Sequence, residues 1–203
     1  MGMDSTTIGE IKQSGAAAGA REYGQADIEK LVAKASGGNF QAFGDLYSIF
    51  LDRIYRYVYY QIHDKMSAED LTEEVFVKAW NAIGSCHGRE KTFSAWLYRI
   101  AHNHLVSTVK ASRKFSSLDA VDLNRFADAK QKVETHADCK ELLERIANLP
   151  ENQKQVIILK FIEGMENREI AGVMGKREGA IRVLQMRALA TLRKEPGVER
   201  NGQ

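Results

Sequence analysis

Apolar residues recur at intervals of three and four over two stretches of this chain, and a polar stretch without that period divides them. From Ala26, the positions Ile28, Leu31, Val32 and Ala35 predict a short amphipathic helix, which Ser36-Gly37-Gly38-Asn39 breaks. Phe40 begins a longer one. Phe43, Leu46, Tyr47, Phe50, Leu51, Ile54, Tyr57 and Val58 form a single stripe, whose aromatics read as core. Ser67 is placed to cap a third helix, with Asp70 three residues on approximating a capping box. Leu71, Val75, Phe76 and Trp80 follow along it. Gly84 to Lys91 reads as a polar loop. Phe93 to about Val109 is helical again, with Ser94 as cap and Leu97, Ile100, Ala101, Leu105 and Val109 inward. Residues 115–138 mix Ser, Asp, Asn and Lys with scattered apolar positions and predict a linker. Leu142, Leu143, Ile146 and Leu149 open a second helical stretch. Pro150 ends or restarts its helix, and Val156 to Ile162 reads as buried. The expected fold class is all-α: two small helical domains, 23–114 and 139–196, joined by a flexible linker.

The end of the second stretch carries the most specific pattern. Ile170, Ala171, Val173 and Met174 make a short helix that meets Gly175. Ile181, Leu184, Ala188 and Leu192 then stripe a second helix. Ala171, Gly175 and Ile181 stand where a helix-turn-helix needs a small residue, a left-handed turn and a branched apolar anchor. Such a unit usually lays its second helix in the DNA major groove. Between Lys176 and Lys194 the bases are Lys176, Arg177, Arg182, Arg187, Arg193 and Lys194, against one acid, Glu178. Gly179, Arg182, Val183 and Met186 point away from the apolar stripe, with Arg187 on its flank. The bland reading is a solvated basic helix; the turn pattern favours DNA contact.

Composition narrows the picture. The chain has 203 residues and a net charge of +2, so its basicity is local rather than global. Cys86 and Cys139 are far apart and form no CxxC pair, which fits a reducing cytoplasm rather than a disulfide framework. Cys86-His87 supplies too few ligands for structural zinc. No metal, cofactor or catalytic residue is therefore expected. No apolar run approaches 18 residues, so no membrane insertion is expected. The opening residues fit a myristoylation pattern only formally. Residues 1–22, rich in Gly, Ala and Ser, predict a disordered tail, and 197–203 are read as a short tail.

The first stretch bears two faces of opposite sign. Asp64, Glu69, Asp70, Glu73 and Glu74 cluster beside Leu71, Val75 and Phe76. This is either an ordinary solvated acidic face or a docking face for a basic helix. Between Glu90 and Asp119 there is no acid. Lys91, Arg99, Lys110, Arg113 and Lys114 fall there with His102 and His104, and Phe93, Trp96 and Tyr98 are interleaved. Bases with aromatics suit melted nucleic acid, because rings stack on exposed bases. Phe93 and Leu97 are the expected core members. His102 and His104, two apart, do not share a helix face and do not make a metal pair.

Taken in order, these features resemble bacterial sigma factors of the extracytoplasmic-function (ECF) group. AEDLTEEVFVKAW (Ala68 to Trp80) is similar to that group's polymerase-binding helix. FSAWLYRIAHNHLVSTVKASRK (Phe93 to Lys114) is similar to its promoter-melting and −10-reading helix. Leu149 to Arg193 is similar to its −35-reading domain. The resemblance spans about residues 25–195. It implies that 23–114 is sigma region 2 and 139–196 sigma region 4. Asp70, Leu71, Glu74, Val75, Phe76 and Trp80 would dock on the clamp helices of the largest subunit of core RNA polymerase. His87, Lys91, Trp96, Arg99, Asn103, Lys110 and Arg113 would serve the opened −10 element, with a flipped base held by the Ser85–Thr92 loop. Arg177, Arg182, Val183, Met186 and Arg187 would serve the −35 element of promoter DNA. The flap of the second-largest subunit and an anti-sigma factor are the further implied partners, and the bacterial cytoplasm is the implied location. The chain departs from the group at Glu73 (often Gln), at Ser107 (often Asp) and over Ala180 to Leu184 (often Thr-Val-Lys-Ser-Arg). The last departure removes a hydroxyl and a base from the recognition helix. Two rivals stand beside this reading. One is a stand-alone helix-turn-helix regulator. The other is a metal hydrolase using His87, His102 and His104, for which no nucleophile–base pair is visible.

Overall fold

In a computed structural model the described residues are 23–87, 90–116 and 143–193, without the side chains of Glu90 and of 110–116. The expected tails and most of the expected linker lie outside them. Among the described residues every regular element is helical, and the fold is all-α. The chain divides into two compact units between Ala129 and Lys130.

The first unit holds α1 (Gln25–Ser36), α2 (Phe40–Ile62), α3 (Lys65–Ala82) and α4 (Phe93–Ser116). Gly38, at φ 91°, ends the first helix, and the Asn39 side chain starts the second by accepting the Ala42 N–H at 2.9 Å. His63 takes the left-handed conformation that closes α2. Asp64 then caps α3, its carboxylate accepting the Ser67 N–H at 2.8 Å. This corrects the expectation that Ser67 is the cap. A carboxylate three residues earlier claims that N–H first, so the helix already begins at Lys65. Ser94 likewise lies inside α4, which begins at Phe93 and runs on to Ser116, into the expected linker.

Helix α1 packs on α2, α2 on α3 and α4, and α3 on α4. The core between them is aromatic. Edge-on ring pairs join Tyr47 to Phe76 (4.7 Å), Phe50 to Phe93 (5.4 Å) and Tyr57 to Tyr98 (5.4 Å). Each such pair contributes roughly 0.5–1.5 kcal/mol beyond the area it buries. The loop after α3 is less polar than its composition suggests. A 3-10 turn at Ile83–Cys86 buries Ile83 and Cys86 against α1.

Among the described residues the second unit begins with a helical segment at 143–147. Pro150, at φ −51°, then sits at the head of α5 (Glu151–Ile157) and restarts the helix. A π-helical turn, Ile158–Ile162, follows α5. Val156 to Leu159 are buried as expected, but Phe161 is 56% exposed. The wider turn explains it: the Glu163 N–H reaches back five residues to the Ile158 carbonyl, which shifts the inward face by one position. Helix α6 (Asn167–Met174) starts with a reciprocal cap, in which the Glu166 N–H donates to Glu169 Oε2 at 2.8 Å. Helix α7 (Glu178–Arg193) packs on both α5 and α6, and the Arg145 guanidinium donates to the Leu192 carbonyl near its end.

Candidate functional site

The helix-turn-helix is built as the sequence requires. Gly175 closes α6 at φ 62°, ψ 33°, and the Lys176 N–H donates to the Ala171 carbonyl at 3.0 Å. Ile181 is fully buried and Ala171 nearly so, which fixes α7 against α6. On α7, Ile181 and Ala188 face inward. The opposite face is open. Val183 is 42% and Met186 64% exposed, with Arg182 and Arg187 exposed on either border and Arg177 exposed before the helix. Arg182 reaches back one turn to pair with Glu178.

The second candidate face lies on α4. Trp96, Arg99 and Asn103 follow at intervals of three and four, so one side of the helix carries all three. Arg99 and Asn103 are exposed. Trp96 is half-buried, its ring 5.5 Å from that of Phe93. His87 and Lys91 are exposed in the turns before the helix. Lys110 and Arg113 are on α4, with side chains outside the described set. Two residues counted toward this face belong to the interior instead: Tyr98 is fully buried against Tyr57, and His102 is buried too. The sequence pattern of bases and rings cannot tell which ring turns inward; only the register against α2 does.

The third face, on α3, needs a larger correction. Leu71, Val75 and Phe76 are buried, Phe76 against Tyr47, and Trp80 is half-buried with its ring edge-on to Phe40 (5.6 Å) and Phe43 (5.0 Å). The apolar seam of this helix is occupied by its own domain. Asp70 and Glu74 are exposed, as is Glu69. Met66, 73% exposed and one turn before Asp70, joins that face and was missed by the sequence reading. Its i, i+4 spacing to Asp70 was the available signal.

Helices α3 and α4 are bridged by a histidine. His104 Nε2 lies 2.7 Å from Glu74 Oε2, and the same oxygen is 3.4 Å from Lys78 Nζ. Burial holds the imidazole below its ordinary pKa, and the Lys78 charge adds to this, while Glu74 opposes both. Among the described residues no three His, Cys, Asp or Glu side chains could hold a metal ion, and no helix is long and apolar enough to cross a membrane.

Comparison with known proteins agrees with this arrangement. The family described as Sigma-70 region 2 matches residues 46–115, and Sigma-70, region 4 matches residues 139–192. The ECF RNA polymerase sigma factor BldN of Streptomyces coelicolor is 37% identical over 179 residues, covering 85% of this chain and 67% of that one. The ECF RNA polymerase sigma factor SigW of Bacillus subtilis is 28% identical over 180 residues, covering 83% of this chain and 96% of that one. Among solved structures, the sigma factor RpoE in complex with the anti-sigma factor NepR from Bartonella quintana shares the fold. Its TM-score is 0.62 at 22% identity, over 74% of this chain and 93% of that one. With both sigma regions matched in order and that identity to BldN, the chain belongs to the ECF family of RNA polymerase sigma factors.

Proposed function

We propose that this chain binds core RNA polymerase and directs promoter-specific initiation, the first unit reading the −10 element and the second the −35 element. The observation that carries this is the order of three surfaces in a member of this family: an acidic face on α3, a cationic face with a half-buried ring on α4, and an open helix-turn-helix face on α7. The α7 face suits duplex DNA, because arginines bordering an exposed helix can reach phosphates and guanines in the major groove. The α4 face suits opened DNA, because Trp96 offers a stacking surface beside Arg99 and Asn103. The α3 face offers Asp70, Glu74 and Met66 to a basic partner helix, with Leu71, Val75 and Phe76 supporting it from beneath.

The stand-alone regulator is not the better reading, since it leaves region 2 without a role. On the present reading the chain is a recognition subunit and the polymerase performs the chemistry. It works in the cytoplasm, where the chromosome is, and an anti-sigma protein is among its partners, as one is for RpoE in the solved complex. Run-off transcription with core bacterial polymerase on a library of promoter fragments tests this. Discrete transcripts that depend on the chain are expected. Absence of both transcripts and core binding would remove the proposal.

A further inference from the structure

We propose that the centre of the −35 element is recognised through thymine methyl groups covered by Val183 and Met186, with Arg182 and Arg187 fixing its two flanks. This rests on reading α7 as the −35-reading helix.

The outward face of α7 is formed by Gly179, Val183, Met186 and Ala190, at intervals of four, three and four. None of the four has a side chain that donates a hydrogen bond, and the Met186 thioether is only a weak acceptor. Hydrogen-bonding side chains stand at the borders, Arg182 and, near the end of the helix, Arg193 on one side and Arg187 on the other. Glu178, beyond Arg182, is engaged with that arginine. Gln185 is half-buried toward the opposite side.

Each base offers something different in the major groove. Guanine shows two acceptors, which arginine pairs with. Adenine shows an acceptor and a donor, which call for Asn or Gln. Cytosine shows a donor, which calls for a carboxylate. Thymine alone adds a methyl group. A helix face with arginines at its edges and only apolar side chains at its centre can read guanine at the edges and thymine between them. Any other base pressed on that centre would lose its water without gaining a partner.

The exposure of the two side chains points the same way. Val183 at 42% and Met186 at 64% are among the few large apolar side chains left open among the described residues. Covering them with methyl groups removes apolar surface from water on both partners. Met186, unbranched and with a polarisable sulfur, can settle against a methyl whose position varies from step to step.

The test uses holoenzyme assembled from this chain and core polymerase, on a promoter it selects. Each thymine of the −35 element, on either strand, is replaced singly by deoxyuridine, which keeps pairing and removes only the methyl. We expect promoter binding to fall about fourfold for each covered methyl, at one or two central positions. Val183→Ala or Met186→Ala should abolish the sensitivity at one of those positions, with helix content unchanged. Unchanged binding at every substituted position, or a selected element without central A·T pairs, overturns the proposal and leaves the sigma reading in place. Sensitivity that persists undiminished in both variants also overturns it. If no promoter is transcribed, the underlying reading fails and this proposal with it.

Discussion

Asp70 and Phe76 belong to the same helix and do different work, which the structure makes testable one residue at a time. Phe76 is buried against Tyr47, so Phe76→Ala leaves a cavity and should cost the first unit roughly 3–5 kcal/mol in a denaturant titration. Asp70→Lys changes an exposed side chain and should leave stability within about 0.5 kcal/mol, while core polymerase binding weakens. Equal loss of binding and stability in both variants would contradict this division. On α7, Arg182→Ala should weaken −35 binding by roughly 1–3 kcal/mol if the guanidinium meets a base. His104 adds a dependence on pH. Its pKa is lowered in the folded chain, so the folded state favours the neutral ring and the unfolded state takes up the proton first. The stability tied to this group is complete above the ordinary value of 6.5 and declines as pH falls from there toward the lowered value. Asp64, also lowered, adds its own loss further into acid, where Ser67 gives up a charged partner. Replacing His104 with Gln should flatten the decline just below pH 6.5 and leave the more acidic limb; identical profiles would assign the decline elsewhere.

Elements were legible where their signal was local. The breaks at Gly37-Gly38 and Gly175, the long stripe of α2 and the inner face of α7 all follow from spacing within one helix. Gly175 lends itself to a direct check. A methyl group there meets nothing within 4 Å, so only backbone strain opposes it. Gly175→Ala should cost the second unit about 1–2 kcal/mol in thermal unfolding, and Gly175→Asn, which tolerates the left-handed turn, less. What failed depended on neighbours. Ser67 has the composition of a cap, but Asp64 holds its N–H. Phe161 looked buried because a regular helix would turn it inward, and the π-helical turn does not. The same limit applied to the site. The α7 face needs no partner element to define it and was read correctly as a face. The α3 seam was less legible, because periodicity marks an apolar side without saying whether the domain or a partner covers it.

At the scale of the whole molecule, 29 basic and 27 acidic side chains nearly cancel, and the sum conceals their placement. Acid is concentrated on α3, while the described stretch of α4 carries no acid and α7 carries one. A chain so arranged presents opposite potentials to different partners without being strongly charged, and it is the local sign that steers an encounter. Another uneven distribution has a practical use. The sequence holds two tryptophans, Trp80 and Trp96, and both fall in the first unit. Indole emission is therefore blind to the second unit. Far-ultraviolet dichroism sees helices of both, so a melting step that appears in dichroism alone belongs to the helix-turn-helix unit. The two indoles also differ from one another: Trp80 is wedged against Phe40 and Phe43, and Trp96 stands on the α4 face beside Arg99. Stacking of an unpaired base should quench Trp96 and spare Trp80. With Trp80→Phe as the single-tryptophan form, the chain carries its own optical signal for the moment a promoter opens.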